Sequence, residues 1–276
     1  MATIVKIKTP DALKETPLAS QHLDGGVLRL VLNNPPANTL SEAMLDALKT
    51  ALIDAETDKS VRVIVIAANG HLFCAGHDLK ELTERRADAD GGKAYFAQLM
   101  NRCAEVMQAI VNHPKPVIAE VAGLATAAGC QLVASCDLAI ASEDATFCTP
   151  GVHIGLFCST PMVALSRNVH HKHAMEMLLT GEAITPSHAR EIGLVNRVVP
   201  ADYLQKVTLQ YARKIAEKSS LTLKTGKQAF YQQADMPLAQ AYAHCAAVMT
   251  ENMMAQDAQE GIGAFLEDRS PEWRDE

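Results

Sequence analysis

The sequence predicts an α/β fold that passes into an all-helical C-terminal stretch, and three observations carry that reading. Segments of strand character alternate with segments of helical period as far as about Val199. Val61 to Ala68 (VRVIVIAA) is a nearly continuous β-branched run, as in a strand buried on both faces. Beyond Pro200 no strand pattern recurs, and apolar stripes at helical spacing replace it.

Taken in order, residues up to about Asp24 read as a loose polar lead-in. Val27 to Leu32 alternates as a strand, and Asn33-Asn34-Pro35-Pro36 stops it. Ser41 is placed to cap a helix running to about Glu56, with Met44, Leu45, Leu48 and Leu52 on one face. Asn69-Gly70 ends the Val61–Ala68 strand. A charged helical stretch from about Leu79 to Arg86 and a flexible Asp/Gly link (Asp88 to Gly92) lead into a long helix from Lys93 to Val111. Pro114 and Pro116 bracket the approach to a strand at Val117 to Val121, and a small-residue loop then opens a short apolar helix, Cys130 to Ser135. Strands at Leu138 to Ala141 and near Phe147 follow. Thr185-Pro186 is a cap with proline at the first helical position, and Gly193 suits the stop of that helix. The tail stripes are Leu204/Val207/Tyr211/Ile215, Leu238/Tyr242/Cys245/Met249 and Ala258/Ile262/Phe265. These divide the chain at 1–200 and 201–276; the second part has few core positions and must pack on the first or on another subunit.

Composition narrows the class. Of 276 residues, 48% are apolar and 21% charged, too apolar and too evenly charged for disorder. The net charge of −7, without a basic stripe, argues against nucleic-acid partners, and no apolar run is long enough to cross a membrane. Seven scattered cysteines, with no C-x-x-C pair, argue against a disulfide framework or zinc knuckle and for a reducing compartment. Met1 to Leu18 has no apolar core and carries Asp11 and Glu15, so it reads as neither secretory signal nor organelle presequence. The expected location is the cytoplasm.

Two glycine-bearing loops each follow a strand and open a helix: Phe73-Cys74-Ala75-Gly76-His77-Asp78-Leu79 and Ala122 to Leu132 (AGLATAAGCQL). Small residues there let backbone approach a ligand, and free amides at a helix start face negative charge. Tight packing is the competing explanation for such turns. His170, His171 and His173 lack the i, i+4 pairing of a helical metal site and read as a surface helix start beside Lys172.

With these loops the sequence resembles the enoyl-CoA hydratase/isomerase (crotonase) superfamily. The matching segments are Leu32-Asn33-Asn34-Pro35, residues 75–79, residues 122–130, Cys136-Asp137-Leu138-Ala139, Leu179-Thr180-Gly181, Ala189 to Val199 and Glu260 to Leu266. Gly155 to Pro161 looks most like the branch called enoyl-CoA hydratase domain-containing protein 3. The resemblance implies a crotonase-like spiral of ββα turns with a C-terminal helical trimerisation region, assembled as a homo-trimer or hexamer. It implies an acyl-CoA thioester as substrate, with coenzyme A part of that substrate and no permanently bound cofactor or metal. The backbone N–H groups of His77 and Ala128 would form the oxyanion hole, and Ala75, Gly76, Asp78, Leu79 and Lys80, with Lys227 from a neighbouring subunit, would hold coenzyme A.

The resemblance also exposes a departure. Hydratases of the family use two glutamates, and their places here are Gln131 and Gly151. Neither exchanges a proton near neutral pH, and acid–base groups contribute roughly 10²- to 10⁴-fold. Glu81 and Glu84, for which a solvated helical face is the plain reading, and His153, Cys158 and Ser159 are the nearby residues able to stand in, and the His77 imidazole could also face the pocket. The place of a family Lys or Arg that meets a coenzyme A phosphate is Pro36, leaving Lys80, Arg85, Arg86, Lys224 and Lys227 to compensate. Decarboxylation of a malonyl-type thioester, isomerisation and thioester hydrolysis suit such a site better than hydration. A non-catalytic acyl-CoA-binding or regulatory protein is the alternative, and a purely structural helical oligomer explains neither loop.

Overall fold

The computed structural model describes residues 17–276. The N-terminal segment that carried the expectation about targeting lies almost wholly outside the described residues. The chain from Leu18 to Asp24 is not a lead-in: Leu18–Leu23 is an edge strand, β1, paired antiparallel with β2 (Val27–Leu32). Gly25 and Gly26, at φ +85° and +74°, make the hairpin turn, a conformation glycine adopts without steric cost.

The repeating unit is two strands and a helix. After β2, α1 (Glu42–Thr57) starts at Ser41, whose hydroxyl accepts the Met44 N–H, and buries Met44, Leu45, Leu48 and Leu52. Then β3 (Val63–Ala68) and β4 (Leu72–Cys74) precede the short helix α2 (Leu79–Glu84) and the 20-residue α3 (Lys93–Asn112). The next turn is β5 (Val117–Val121), β6 (Leu124–Thr126) and α4 (Ala128–Ser135), and the one after it is β7 (Leu138–Ser142) and β8 (Thr146–Cys148). In each turn from β3 onward the first strand joins one sheet and the second strand another, whereas β1 and β2 share the first sheet. The result is a six-stranded sheet, β1-β2-β3-β5-β7-β9, and a three-stranded sheet, β4-β6-β8. All pairs after β1–β2 are parallel, as helical crossovers require. The main core lies between the sheets and α1, α3 and α4, and β3 and β5 are buried along nearly their whole length.

Beyond β8 come α5 (Pro161–Asn168), α6 (His171–Thr180), α7 (Pro186–Glu191) and β9 (Arg197–Val199). The Thr185 cap holds, accepting the His188 N–H, and Gly193 has φ +88°. Helix α8 (Leu204–Ala216) packs on the outer face of the large sheet, against Val27, Val63, Val65 and Ile118. Its buried residues are Leu204, Thr208, Ala212 and Ala216, one position round from the expected Val207/Tyr211/Ile215 stripe. Small side chains let the helix axis approach the sheet, while Tyr211 and Ile215 flank the contact.

Three helices complete the chain: α9 (Ser220–Gln233), α10 (Leu238–Met254) and α11 (Gln256–Leu266). No stripe foretold α9, which buries little besides Ala229. It is tied down by polarity instead. The Lys227 ammonium donates to Asp137 Oδ2 at 2.7 Å and to the carbonyls of Ile110 and Lys115, while the Tyr231 hydroxyl donates to Asp137 Oδ1. The last residues fold back: Trp273 Nε1 donates to the Glu217 carbonyl, Asp257 accepts the N–H groups of Arg274 and Asp275, and Asp275 pairs with Arg62. No helix among the described residues is long and apolar enough to cross a membrane.

Candidate active site

The two glycine-bearing loops meet because β4 and β6 are parallel neighbours, Leu72 opposite Leu124 and Cys74 opposite Ala125. Both strands therefore deliver their following loops to the same sheet edge. β8 lies on the far side of β6, and its Cys148 carbonyl accepts the Ala127 N–H at 2.9 Å. Gly76 has φ +85°, and a Cβ there would lie 3.0 Å from Ala127 Cβ and 3.2 Å from the Ala128 nitrogen. The backbone before His77 thus lies against the amide of Ala128. At Gly129 a Cβ would stand 2.2 Å from the Cys74 carbonyl oxygen, so glycine is what lets α4 start directly over β4.

Ala127 bears the strain of this junction, at φ +50° and ψ −118°. Its conformation reverses the chain so that the Ala128 N–H, first of α4, has no carbonyl a helical turn behind it. The His77 N–H likewise has no acceptor among the described residues. Two unpaired amides side by side can hold one developing negative charge.

The side chains around them have definite partners. Asp78 caps α2, accepting the Lys80 N–H at 2.9 Å and lying 3.3 Å from the Thr39 hydroxyl. Ala75 donates its N–H to the Ala37 carbonyl, and Leu79 and Lys80 are exposed at the head of α2. Gln131, one turn into α4, is 4% exposed, and its Oε1 has no donor. Gly151 is buried in the 3₁₀ turn Pro150–Ile154. A Cβ on it would stand 2.9 Å from both Cys158 Sγ and the Leu156 carbonyl oxygen, so the Cys158 thiol fills the space of a side chain at 151. Burial raises the Cys158 thiol pKa, opposed by the Gly151 N–H.

The remaining candidates are dispersed. Glu81 sits beside the Glu42 N–H at the start of α1, its pKa raised by burial, while Glu84 is exposed. His153 is exposed and leans on Gly181 at the end of α6. Arg85 and Arg86 lie over the rings of Tyr95 and Phe96. His170 to His173 begin α6 at the surface, and no group of three or more His, Cys, Asp or Glu among the described residues could hold a metal ion. Lys227 does not fit the coenzyme A role expected of it. Its side chain is 7% exposed and its three donors are taken by Asp137, Ile110 and Lys115.

Residues 22–276 match the family described as Enoyl-CoA hydratase/isomerase. The chain belongs to that family. Among relatives of this enoyl-CoA hydratase/isomerase member, the human protein named "Enoyl-CoA hydratase domain-containing protein 3, mitochondrial" is 48% identical over 261 residues, 94% of this chain and 84% of the human one. The mouse protein of the same name is 46% identical over 260 residues, 94% of this chain and 85% of the mouse one. A crystal structure of enoyl-CoA hydratase from Mycobacterium smegmatis superposes with a TM-score of 0.89 at 49% identity, covering 94% of this chain and 99% of that one. The crotonase fold and the branch inferred from residues 155–161 are thereby shown. The cytoplasmic expectation is overturned, because the mouse and human relatives are both named mitochondrial. That expectation rested on Met1 to Leu18, nearly all outside the described residues, and on scattered cysteines, which do not distinguish one reducing compartment from another.

Proposed function

We propose that this family member binds an acyl-CoA thioester with its carbonyl oxygen between the N–H groups of His77 and Ala128, and stabilises the enolate formed there. The observation that carries the reading is the convergence of these two acceptor-free amides across Gly76. Removing one donor of such a pair typically costs about 10²- to 10³-fold in rate. Ala75, Gly76, Asp78, Leu79 and Lys80 border the thioester and coenzyme A, which enters and leaves as part of the substrate. Lys80, Arg85, Arg86 and Lys224 are the cations left to meet its phosphates.

Hydration by a glutamate pair is not part of this reading. Gln131 stays neutral, and at Gly151 the thiol of Cys158 stands in the way of any side chain. Chemistry that needs the hole without the pair fits better: decarboxylation of a malonyl-type thioester, isomerisation or thioester hydrolysis. The closure of Cys158 and Leu156 over Gly151 also favours a second reading, in which the protein binds acyl-CoA without turnover. Incubating the protein with crotonyl-CoA and a panel of saturated, malonyl-type and 3-enoyl thioesters separates these. Turnover of a panel member supports the first reading, tight binding without turnover the second, and robust hydration of crotonyl-CoA refutes the argument from Gln131 and Gly151.

Residues 201–276 serve in this proposal as the oligomerisation region of a homo-trimer or hexamer. Leu238, Tyr242, Met249, Met254, Phe265 and Leu266 are all exposed on one chain, Phe265 at 84%. Analytical ultracentrifugation of the wild type and of Phe265→Asp tests it; a wild-type monomer sinks it.

A further inference from the structure

The loop that supplies one of the two free amides also carries an imidazole, and its hydrogen bonding is unusual. Loop and body are clamped twice at Leu40: the Leu40 N–H donates to the Gly76 carbonyl at 2.8 Å, and His77 Nδ1 lies 3.3 Å from the Leu40 carbonyl oxygen. A carbonyl oxygen only accepts, so Nδ1 carries the ring hydrogen and Nε2 presents a bare lone pair. That Nε2 is buried and has no donor anywhere in the described residues. Gln131 Oε1, one turn along α4 from the other free amide, is a second buried acceptor without a donor. Leaving an acceptor so costs stability, and the fold tolerates two, one on His77 itself and one a helical turn from Ala128. Among side chains near those amides, Gln131 cannot exchange a proton, Cys158 is a protonated thiol, and Asp78 is occupied as a helix cap.

We propose that His77 Nε2 is the proton acceptor for the α-carbon of the bound thioester. This rests on the acyl-thioester reading of the site. In the step, the α-C–H bond breaks and its electron pair moves through the carbonyl carbon onto the thioester oxygen, held by the His77 and Ala128 amides. The proton goes to Nε2, and the resulting imidazolium keeps its Nδ1–H on the Leu40 carbonyl. Reversal returns a proton to carbon, so no co-reactant is needed. One residue thereby supplies a hole donor through its backbone and the base through its ring. Burial lowers the pKa of His77 and keeps the ring neutral before the step, and no charged group contributes to that shift.

The test is hydrogen–deuterium exchange at the α-carbon of butyryl-CoA in D₂O, followed by mass spectrometry, with affinity measured in parallel by calorimetry. His77→Asn is the decisive variant: its Nδ2 takes the place of the ring Nδ1 and keeps the bond to Leu40, while the backbone amide is untouched and the basic nitrogen is gone. His77→Phe is the second variant, and thermal unfolding checks that both fold. The expected result is exchange by the wild type and a fall of roughly 10²-fold or more in His77→Asn, with butyryl-CoA affinity within about threefold of wild type. Equal exchange in His77→Asn and wild type overturns the proposal, as does a wild type that binds butyryl-CoA without accelerating exchange. A wild type that does not bind butyryl-CoA overturns the acyl-thioester reading itself.

Discussion

Ala127 lies at φ +50°, ψ −118°, a positive-φ conformation in which a Cβ is strained. Such strain costs on the order of 1–3 kcal/mol. Replacing Ala127 by Gly releases it, against two opposing effects. Glycine widens the unfolded ensemble, worth about 0.4–1 kcal/mol, and loss of a half-buried methyl forfeits roughly 0.4 kcal/mol, half the value of a buried methylene. The balance is a stabilisation of about 1 kcal/mol, or ~2 °C in Tm for a chain of this size. Urea unfolding followed by the fluorescence of Trp273, the single tryptophan, measures it. The midpoint should rise with an unchanged slope. Ala125→Gly, in the ordinary strand β6 two residues earlier, is the control and should destabilise by about 1 kcal/mol. If Ala127→Gly is destabilised as much as the control, the strain argument fails.

Three further outcomes follow from the same contacts. Gln131→Glu combined with Gly151→Glu should not gain crotonyl-CoA hydration and should lose about 1–3 kcal/mol, because the new side chain meets the Leu156 carbonyl and Cys158 Sγ at 2.9 Å; wild-type stability in the double variant would contradict this. Lys227→Met leaves Asp137 without its buried cation and should cost about 3–5 kcal/mol in the same urea assay, whereas a solvated lysine would cost almost nothing. The C-terminal fold-back should loosen on acidification. Arg269 and the Glu272 N–H hold the Glu260 pKa at about 2; burial raises that of Asp275, but bonds from Arg62 and Ser220 outweigh it and leave it lowered. Depressed carboxylate pKa values stabilise above their ordinary range and lose that contribution as pH falls through the folded values, so Trp273 emission should shift to the red between about pH 4 and pH 2 and hold steady from pH 5 to 8.

Much of the fold was legible because it is local. Ser41 and Thr185 are read as caps from residue type and spacing, and both side chains accept the N–H three residues on. Val63–Ala68 and Val117–Val121 announce themselves by composition. The missed elements lack such a signal: β4, β6 and β9 have three residues each, too few for a period of two to show. β1 is an edge strand, only partly buried, so its alternation is weak, and Gly25-Gly26 was its one clear mark. Helix α9 has no apolar stripe because an ion pair with Asp137, 90 residues away, holds it.

The same division runs through the candidate site. The sequence by itself determined the two loops and the residue types at 77, 128, 131 and 151. It did not determine what stands opposite each of them. That Cys158 fills the space at Gly151, that Lys227 is spent on Asp137, and that Leu40 fixes the hydrogen on His77 Nδ1 are contacts between residues 7, 90 and 37 positions apart. Periodicity and capping act within a helical turn or a strand pair, so they write themselves into neighbouring letters. Close packing and hydrogen-bond pairing act through space, and only the folded chain brings their partners together.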